Sequence, residues 1–390
     1  MRSLPTSKFA TATVSAPPRI TILAPSLPSA DDLLPYLRRI DAVRTYTNWG
    51  PLTDEFEARI AAAIGCPRGC VISASSGTAA LAAALLATAG AGGMRSTAMV
   101  PDFTFVATAL AAEMAGFRPF IADVDPLTWT LQPTALDVPR VGDGLGMIVP
   151  VAPYGRAVAQ ASWLEMRQRC GLPVVIDGGA SFESILDHPE LFLGAIPVAL
   201  SFHATKSFST GEGGCVVTTD ARLARRVREA LNFGFYGSRN CVRASLNGKM
   251  SEYHAAVGLA SLDTWPVKRA ALERVALEYR QRLQHLDLER RLTTTPLVCS
   301  SYILFECVSA DEARRVSEGL EAAAIESRFW YGRGLHSHDH FLSAPRGPVP
   351  CTTDLADRLV ALPVSPDLPA AAVDRVTSAL ALAVRQPARG

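Results

Sequence analysis

Seven short apolar runs rich in β-branched residues recur along the first 220 positions: VISAS (71–75), TAMVP (97–101), PFIADV (119–124), MIVPV (147–151), PVVID (173–177), VALSF (198–202) and CVVTT (215–219). They are apolar throughout rather than alternating, the pattern of strands covered by helices on both faces. Helical patterns lie between many of them: TAALAAALLATA (78–89), TFVATALAAEMAG (104–116) and the stretch around ASWLEMRQRCG (161–171). Strand–helix alternation predicts an α/β domain with a mainly parallel sheet. After about residue 250 the texture changes. SEYHAAVGLASLDTW (251–265) reads as a helix that Pro266 interrupts, and a long Arg- and Glu-rich helix follows to about Arg291. A strand, SYILFECV (301–308), a helix, DEARRVSEGLEAAA (311–324), and a closing helix near 369–385 complete a smaller C-terminal α+β domain. The expected division is an N-terminal segment (1–30), a large domain (31–264) and a small domain (265–390), with the long helix as hinge.

Charge narrows the partners. Lys plus Arg is 38 and Asp plus Glu is 37, a net charge of +1. That balance argues against nucleic acid or an anionic membrane, either of which favours a basic face. Val71 to Met94 holds no charged residue, but its Ala, Gly, Ser and Thr would drive insertion weakly, so a strand, a turn and a buried helix are expected. Pro17, Pro18, Pro25 and Pro28 break the N-terminal stretch, so no signal peptide is expected. The eight scattered cysteines include no CxxC pair and read as reduced thiols of a cytoplasmic protein.

Four lysines are present: Lys8, Lys206, Lys249 and Lys268. Lys206, in ALSFHATKSFSTGEGGCVV, lies between a predicted strand and a glycine-rich turn, where an amine nucleophile can sit; alone it reads equally as a loop lysine. Asp177 closes PVVID at the end where open α/β sheets bind ligands, or it is a turn residue. SSGTAAL (75–81) opens a helix and offers backbone N–H groups with the Ser76 and Thr78 hydroxyls to a phosphate, or is a simple cap. Phe105 follows another strand and can stack on a flat ring, or fill the core. Together a phosphate loop, an aromatic, a strand-end carboxylate and a sparse lysine match what pyridoxal phosphate requires.

The chain resembles the DegT/DnrJ/StrS family of sugar aminotransferases, pyridoxal-phosphate enzymes of the aspartate-aminotransferase fold (fold type I). The matching segments run in order: TNWGPLTDEFE (47–57), SGTAAL (76–81), VPDFTFVATA (100–109), ADVDPLTWTL (122–131), VVIDGGAS (174–181), SFHATKSFSTGEGG (201–214), NGKMSEYHAAVGLASLD (247–263) and ESRFWYGRGLH (326–336). The resemblance implies a three-layer large domain and a homodimer with shared active sites. It implies that Lys206 carries the cofactor and moves a proton, that Asp177 pairs with the pyridine nitrogen, and that Phe105 stacks on the ring. Gly77, Thr78 and Ser201, beside Ser76, would hold the phosphate, and Asn247 would reach the phosphate of the neighbouring subunit. Relatives with histidine in place of the lysine perform dehydration; Lys206 favours transamination. Two positions depart from the family pattern: Ala180 stands where many relatives have Gln, and Lys249 where many have Arg. Trp330, Tyr331 and His336 are expected near the substrate. HSHDH (336–340) invites a metal reading, but no carboxylate or cysteine set of usual spacing accompanies it, so no metal is expected. The expected activity is transfer of an amino group, from glutamate, to a keto sugar, a nucleotide-linked 4-keto-6-deoxyhexose. The alternatives are a keto-cyclitol or other small ketone as acceptor, or a cofactor-binding regulator without turnover.

Overall fold

The computed structural model describes residues 18–91, 97–133, 144–293 and 302–386. Residues 1–17 of the N-terminal segment and Cys299 lie outside these. The central sheet uses β1 (Val71–Ala74), β2 (Thr97–Pro101), β3 (Arg118–Ala122), β4 (Leu145–Ile148), β5 (Ile176–Asp177), β6 (Val198–Ser201) and β7 (Gly214–Val217). Two hydrogen-bonded blocks, β3-β2-β4 and β5-β6-β7-β1, join where the chain beyond β4 runs beside β5. There Asp177 N–H donates to the Pro150 carbonyl at 2.9 Å and Ala152 N–H to that of Asp177 at 2.8 Å. Pairing is parallel except at β7, which runs antiparallel to both β6 and β1.

Alternate strand residues feed opposite cores. Val71, Met99, Ile148, Val198 and Cys215 pack with α2 (Pro51–Ala63), α5 (Gln160–Cys170), α6 (Phe182–Asp187), α7 (Pro189–Phe192) and the first half of α9 (Glu252–Gln284). Ile72, Val100, Met147, Ala199 and Val216 pack with α3 (Gly77–Ala89), α4 (Ala107–Met114) and α8 (Ala221–Ala230). Both faces being covered explains why the runs are apolar throughout. α1 (Ala30–Val43) packs on α9. A separate core gathers the second half of α9 (Tyr279, Leu283), β8 (Ile303–Glu306), α10 (Ala310–Ala322), β9 (Leu359–Leu362) and α12 (Ala370–Arg385), with α11 (Pro350–Arg358) at its side. Ile20 joins this core and bridges to Ile325, so the chain before α1 belongs with the C-terminal unit.

Two expectations are corrected. α9 runs unbroken for 33 residues through Pro266, across the boundary drawn at 264/265, and stops at Gln284 rather than near Arg291. Proline deletes one backbone donor, and Pro266 is exposed, so the carbonyl it leaves is on the solvated side while Leu259, Trp265, Leu272 and Tyr279 hold the buried face. Cys66 and Cys70, read as reduced thiols, are paired as a disulfide in the turn after α2, their Cα atoms 6.4 Å apart. Gly65 (φ +67°) and Gly69 (φ +92°) let the turn double back.

One buried carboxylate ties two of the sequence segments together. Glu252, at the start of α9, accepts from the backbone N–H of Leu52 at 2.7 Å and of Thr53 at 3.0 Å, and from the Thr53 hydroxyl. It thus caps α2 from another element, satisfying amides that the helix cannot. Gly50 is required beside it, since a Cβ there would stand 2.7 Å from the Glu252 carboxyl carbon. Glu252→Ala should therefore cost about 2 kcal/mol or more, the penalty of leaving buried donors unpaired. The check is urea unfolding: a lower midpoint at unchanged slope is expected, and an unchanged midpoint would refute the capping role.

Candidate active site

The carboxyl ends of β1, β2, β5 and β6 open into a cleft of about 490 Å³. Nearly every residue singled out for chemistry lines it: Ser76, Gly77, Thr78, Phe105, Asp177, Ser201, Lys206, Trp330 and Tyr331. Ser76 caps α3, its hydroxyl accepting from Ala79 N–H at 3.1 Å. The amides of Gly77 and Thr78, the first of the helix, have no intrahelical acceptor and sit at the positive end of its dipole. A Cβ on Gly77 would lie 2.5 Å from Ser201 Cβ, so only glycine lets this helix end rest against β6.

Asp177 is held from two sides. One oxygen accepts from the Thr108 hydroxyl at 2.7 Å and the other from Gly179 N–H at 3.0 Å. Thr108 is paired in turn with the Thr104 hydroxyl at 2.8 Å, which makes Thr104 the donor in that pair. Burial pushes the Asp177 carboxyl up; the Thr108 and Gly179 bonds and the charge of Lys206 pull it back. Lys206 Nζ donates to the Tyr302 hydroxyl at 3.3 Å. Burial pushes the Lys268 amine down to about 8, but this group bonds the Ser26 carbonyl at 2.6 Å and does not line the cleft. Location, then, singles out Lys206. Phe105 is 60% exposed at the cleft, an uncommon place to leave a phenyl ring unless something flat covers it.

An aromatic wall closes one side. Tyr154 stacks on Tyr331 at 4.7 Å, and Tyr302, Phe103 and Trp129 meet it edge-on. Burial pushes the Tyr154 and Tyr331 phenols up, which keeps them neutral. Trp129 (φ +63°) and Tyr154 (φ +54°) are in the left-handed region, a conformation that costs a bulky residue about 1–3 kcal/mol.

Two expected residues lie elsewhere. Asn247 is exposed and outside the cleft lining, its side-chain oxygen accepting from Lys249 Nζ at 2.6 Å. His336 does not line the cleft: its Nδ1 is 2.6 Å from the buried carboxylate of Asp102, and its N–H donates to the same group at 2.8 Å. His340 pairs with Glu113 at 2.8 Å, so these two histidines of HSHDH are committed to different carboxylates. Thr108, Tyr154, Tyr302 and Arg328 line or support the cleft and were missed. Only Thr108 carried a signal, standing one helical turn after Thr104.

The residues fit pyridoxal phosphate. A helix end without room for a Cβ suits a phosphate, a buried carboxylate suits a ring nitrogen that carries a proton, and the cleft holds an amine for the aldehyde. The structure of DesI solved in the presence of its TDP-sugar product superposes with a TM-score of 0.82 at 30% identity, covering 94% of this chain and 93% of that one. That likeness in fold, with a lysine and a carboxylate on one cleft, defines a pyridoxal-phosphate-dependent aminotransferase. The chain belongs to the DegT/DnrJ/EryC1/StrS aminotransferase family, which it matches over residues 29–381. A protein of Mycobacterium tuberculosis is 32% identical over 372 residues, 93% of this chain and 90% of its own. The dTDP-4-amino-4,6-dideoxy-D-glucose transaminase of Shigella dysenteriae is 29% identical over 273 residues, 68% of this chain and 71% of its own.

Two variants separate holding the cofactor from using it. Gly77→Ala should weaken pyridoxal phosphate binding about tenfold or more, because the helix end must back away from Ser201. Equilibrium dialysis followed at the cofactor's absorbance measures this, and unchanged affinity would remove Gly77 from the cradle. Asp177→Asn should retain cofactor yet lose turnover by roughly 100-fold or more, since an amide does not hold a pyridine proton by charge. Near-normal kinetics in that variant would refute the assignment.

Proposed function

We propose that this enzyme moves an amino group from glutamate to a keto sugar linked to a nucleoside diphosphate, a 4-keto-6-deoxyhexose being the simplest acceptor. The observation that carries the reading is Lys206 on the cleft of a chain whose relatives include a dTDP-sugar transaminase and DesI with its TDP-sugar product. A nucleotide-linked acceptor is in keeping with the cytoplasmic location expected from sequence. Trp330 and Tyr331 line the cleft, Tyr331 stacked on Tyr154 and Trp330 beneath the Arg328 guanidinium, and form an aromatic side to the space a substrate would occupy.

Bound pyridoxal phosphate supplies an aldehyde that receives the amino group and a ring that takes up the electron pair left when a substrate carbon loses its proton. The protein's residues do the rest. Gly77 and Thr78 amides and the Ser201 hydroxyl hold the phosphate. Asp177, kept in place by Thr108 and Gly179, retains the proton on the ring nitrogen. Phe105 covers the ring and limits water. The Lys206 amine would hold the cofactor at its aldehyde carbon and would carry a proton between the donor carbon and the cofactor carbon. Ala180 lines the cleft where many members of the family carry Gln, so its side chain brings no amide to that edge.

The active unit in this reading is a homodimer. Asn247 and the nearby Phe233 (46% exposed) and Tyr253 (48% exposed) are open to a second copy, and Asn247 then meets the partner's phosphate.

Three measurements test these statements. Borohydride reduction of the holoenzyme should fix pyridoxyl mass on the peptide containing Lys206; label on Lys249 or Lys268 would overturn the lysine assignment. A panel of keto-sugar nucleotides, keto-cyclitols and simple ketones, incubated with glutamate and read by mass spectrometry, should show an amino product from the nucleotide-linked sugars. Turnover of cyclitols alone would move the acceptor class, and no turnover with any acceptor would favour a regulator. Finally, Lys206→Ala and Asn247→Asp chains should each be impaired and should regain activity when mixed. The mixed dimer holds one site with an intact lysine and an intact Asn247 from the other chain. Verified subunit exchange without recovery would show that Asn247 does not act across the interface.

A further inference from the structure

Arg328 lines the cofactor cleft with Lys206, is exposed, and has no partner for its charge among the described residues: its side chain enters no ion pair and no hydrogen bond there. The nearby carboxylate of Glu326 is claimed by Arg19 at 3.2 Å and by Ile22 N–H at 3.1 Å. The Arg328 backbone is fixed to β9, its N–H donating to the Ala361 carbonyl at 3.2 Å and its carbonyl accepting from Ala361 N–H at 2.8 Å. Side chains alternate along this extended stretch: Phe329 packs on the C-terminal core, while Arg328 and Trp330 reach the cleft. The guanidinium lies 4.9 Å from the centroid of the Trp330 ring. Stacking on an indole holds the group flat and leaves its N–H edge open.

The other charged groups of the lining already face one another. Asp177 and Lys206 are close enough for their charges to interact, and Glu212 is 3.7 Å from the His203 ring. In the function proposed above, the cofactor takes up the Lys206 amine and faces Asp177, which leaves Arg328 as the unclaimed cation of the described lining. Resting on that reading, we propose that Arg328 receives a carboxylate of the amino donor. A guanidinium and a carboxylate form two parallel bonds in one plane, and one carboxylate matches one cation. A diphosphate brings at least two charges to that single cation, with Glu212 on the same cleft adding repulsion. The placement suits a donor held at two points. Tyr302 accepts from Lys206 Nζ at 3.3 Å and meets Trp330 edge-on at 5.9 Å, so Lys206 and the indole beneath Arg328 flank one ring. A donor with its amino end towards Lys206 and a carboxylate on Arg328 has its orientation fixed, which sets the C–H bond that the lysine meets.

The test uses the holoenzyme at constant ionic strength, with glutarate, a dicarboxylate without an amine, as the binding probe and thymidine diphosphate as the contrast. Titration calorimetry should show glutarate affinity falling at least tenfold in Arg328→Met and less in Arg328→Lys, with thymidine diphosphate affinity unchanged in both. A second arm follows the bound cofactor's absorbance as an amino donor converts it to its amine form. Glutamate is compared with its α-amide and its γ-amide in the unmodified enzyme and in Arg328→Met. The preference for glutamate over one of the two amides should shrink at least tenfold in the variant, and that amide identifies the carboxylate that Arg328 holds. Unchanged glutarate affinity, unchanged preference over both amides, or a loss confined to thymidine diphosphate would each overturn the proposal. The two readings fail separately. Glutarate held through Arg328 without conversion by any of the three donors would refute the glutamate reading and leave the carboxylate site standing, whereas conversion that is equal in Arg328→Met would refute the site alone.

Discussion

The site exists because the N-terminus of α3 can lie directly against the sheet. Two residues without a side chain make that possible. A Cβ on Gly214 would stand 2.5 Å from the Leu200 carbonyl and 2.8 Å from the Gly77 backbone, and a Cβ on Gly77 would strike Ser201. Helix end, β6 and β7 therefore meet at backbone contact distance. This brings free amides and a helix dipole to the strand whose continuation carries Lys206. The antiparallel insertion of β7 matters here: its first residue, rather than its last, pairs with Ser201 at the cleft end of β6, and that residue is Gly214. Shifting either element by one methyl group would separate the cradle from the lysine.

How much of this was legible follows from what each residue depends on. The strands and the main helices could be read because burial on both faces leaves unbroken apolar runs, and each alternate residue now has a known core. The lysine, the strand-end Asp177 and the SGT turn could be read because their chemistry is set by local position. Pro266 was misread because a local rule was applied where tertiary packing decides: a single lost donor on a solvated face is small against the buried face of a 33-residue helix. The Cys66–Cys70 pair was missed because a three-residue spacer is no motif; the two glycines of its turn were the available signal.

His336 and Glu252 show the other limit. Both lie in segments that carry the family resemblance, and His336 is expected near the substrate on that account. In the structure each is bound to a distant part of the chain, His336 to Asp102 and Glu252 to the start of α2. Asp102 directly precedes the segment bearing Phe103, Thr104 and Phe105. The His336 contact thus fixes the root of the loop that places Phe105 on the cleft and forms the Thr104–Thr108 pair. A residue can recur in a motif because it sets where a neighbour stands, and sequence alone does not distinguish that from contact with substrate.

Asp177 and Arg156 pose the same electrostatic problem and are treated differently. Each is an ionisable group, wholly or partly withdrawn from water and without an ion pair of its own among the described residues. Asp177 is given two donors, which hold its orientation but do not neutralise it, so burial still raises its carboxyl. In the role proposed for Asp177 a protonated ring nitrogen would remove that penalty, and the cost of burying the bare carboxylate would become part of the cofactor's affinity. Arg156 is given an indole face and has a buried N–H with no partner at all. Between the two stand Trp129 and Tyr154, each held in a backbone conformation that neither would adopt unaided. The strained backbone is thus concentrated in the wall between the cofactor cleft, which Tyr154 lines, and the groove that Trp129 and Arg156 line.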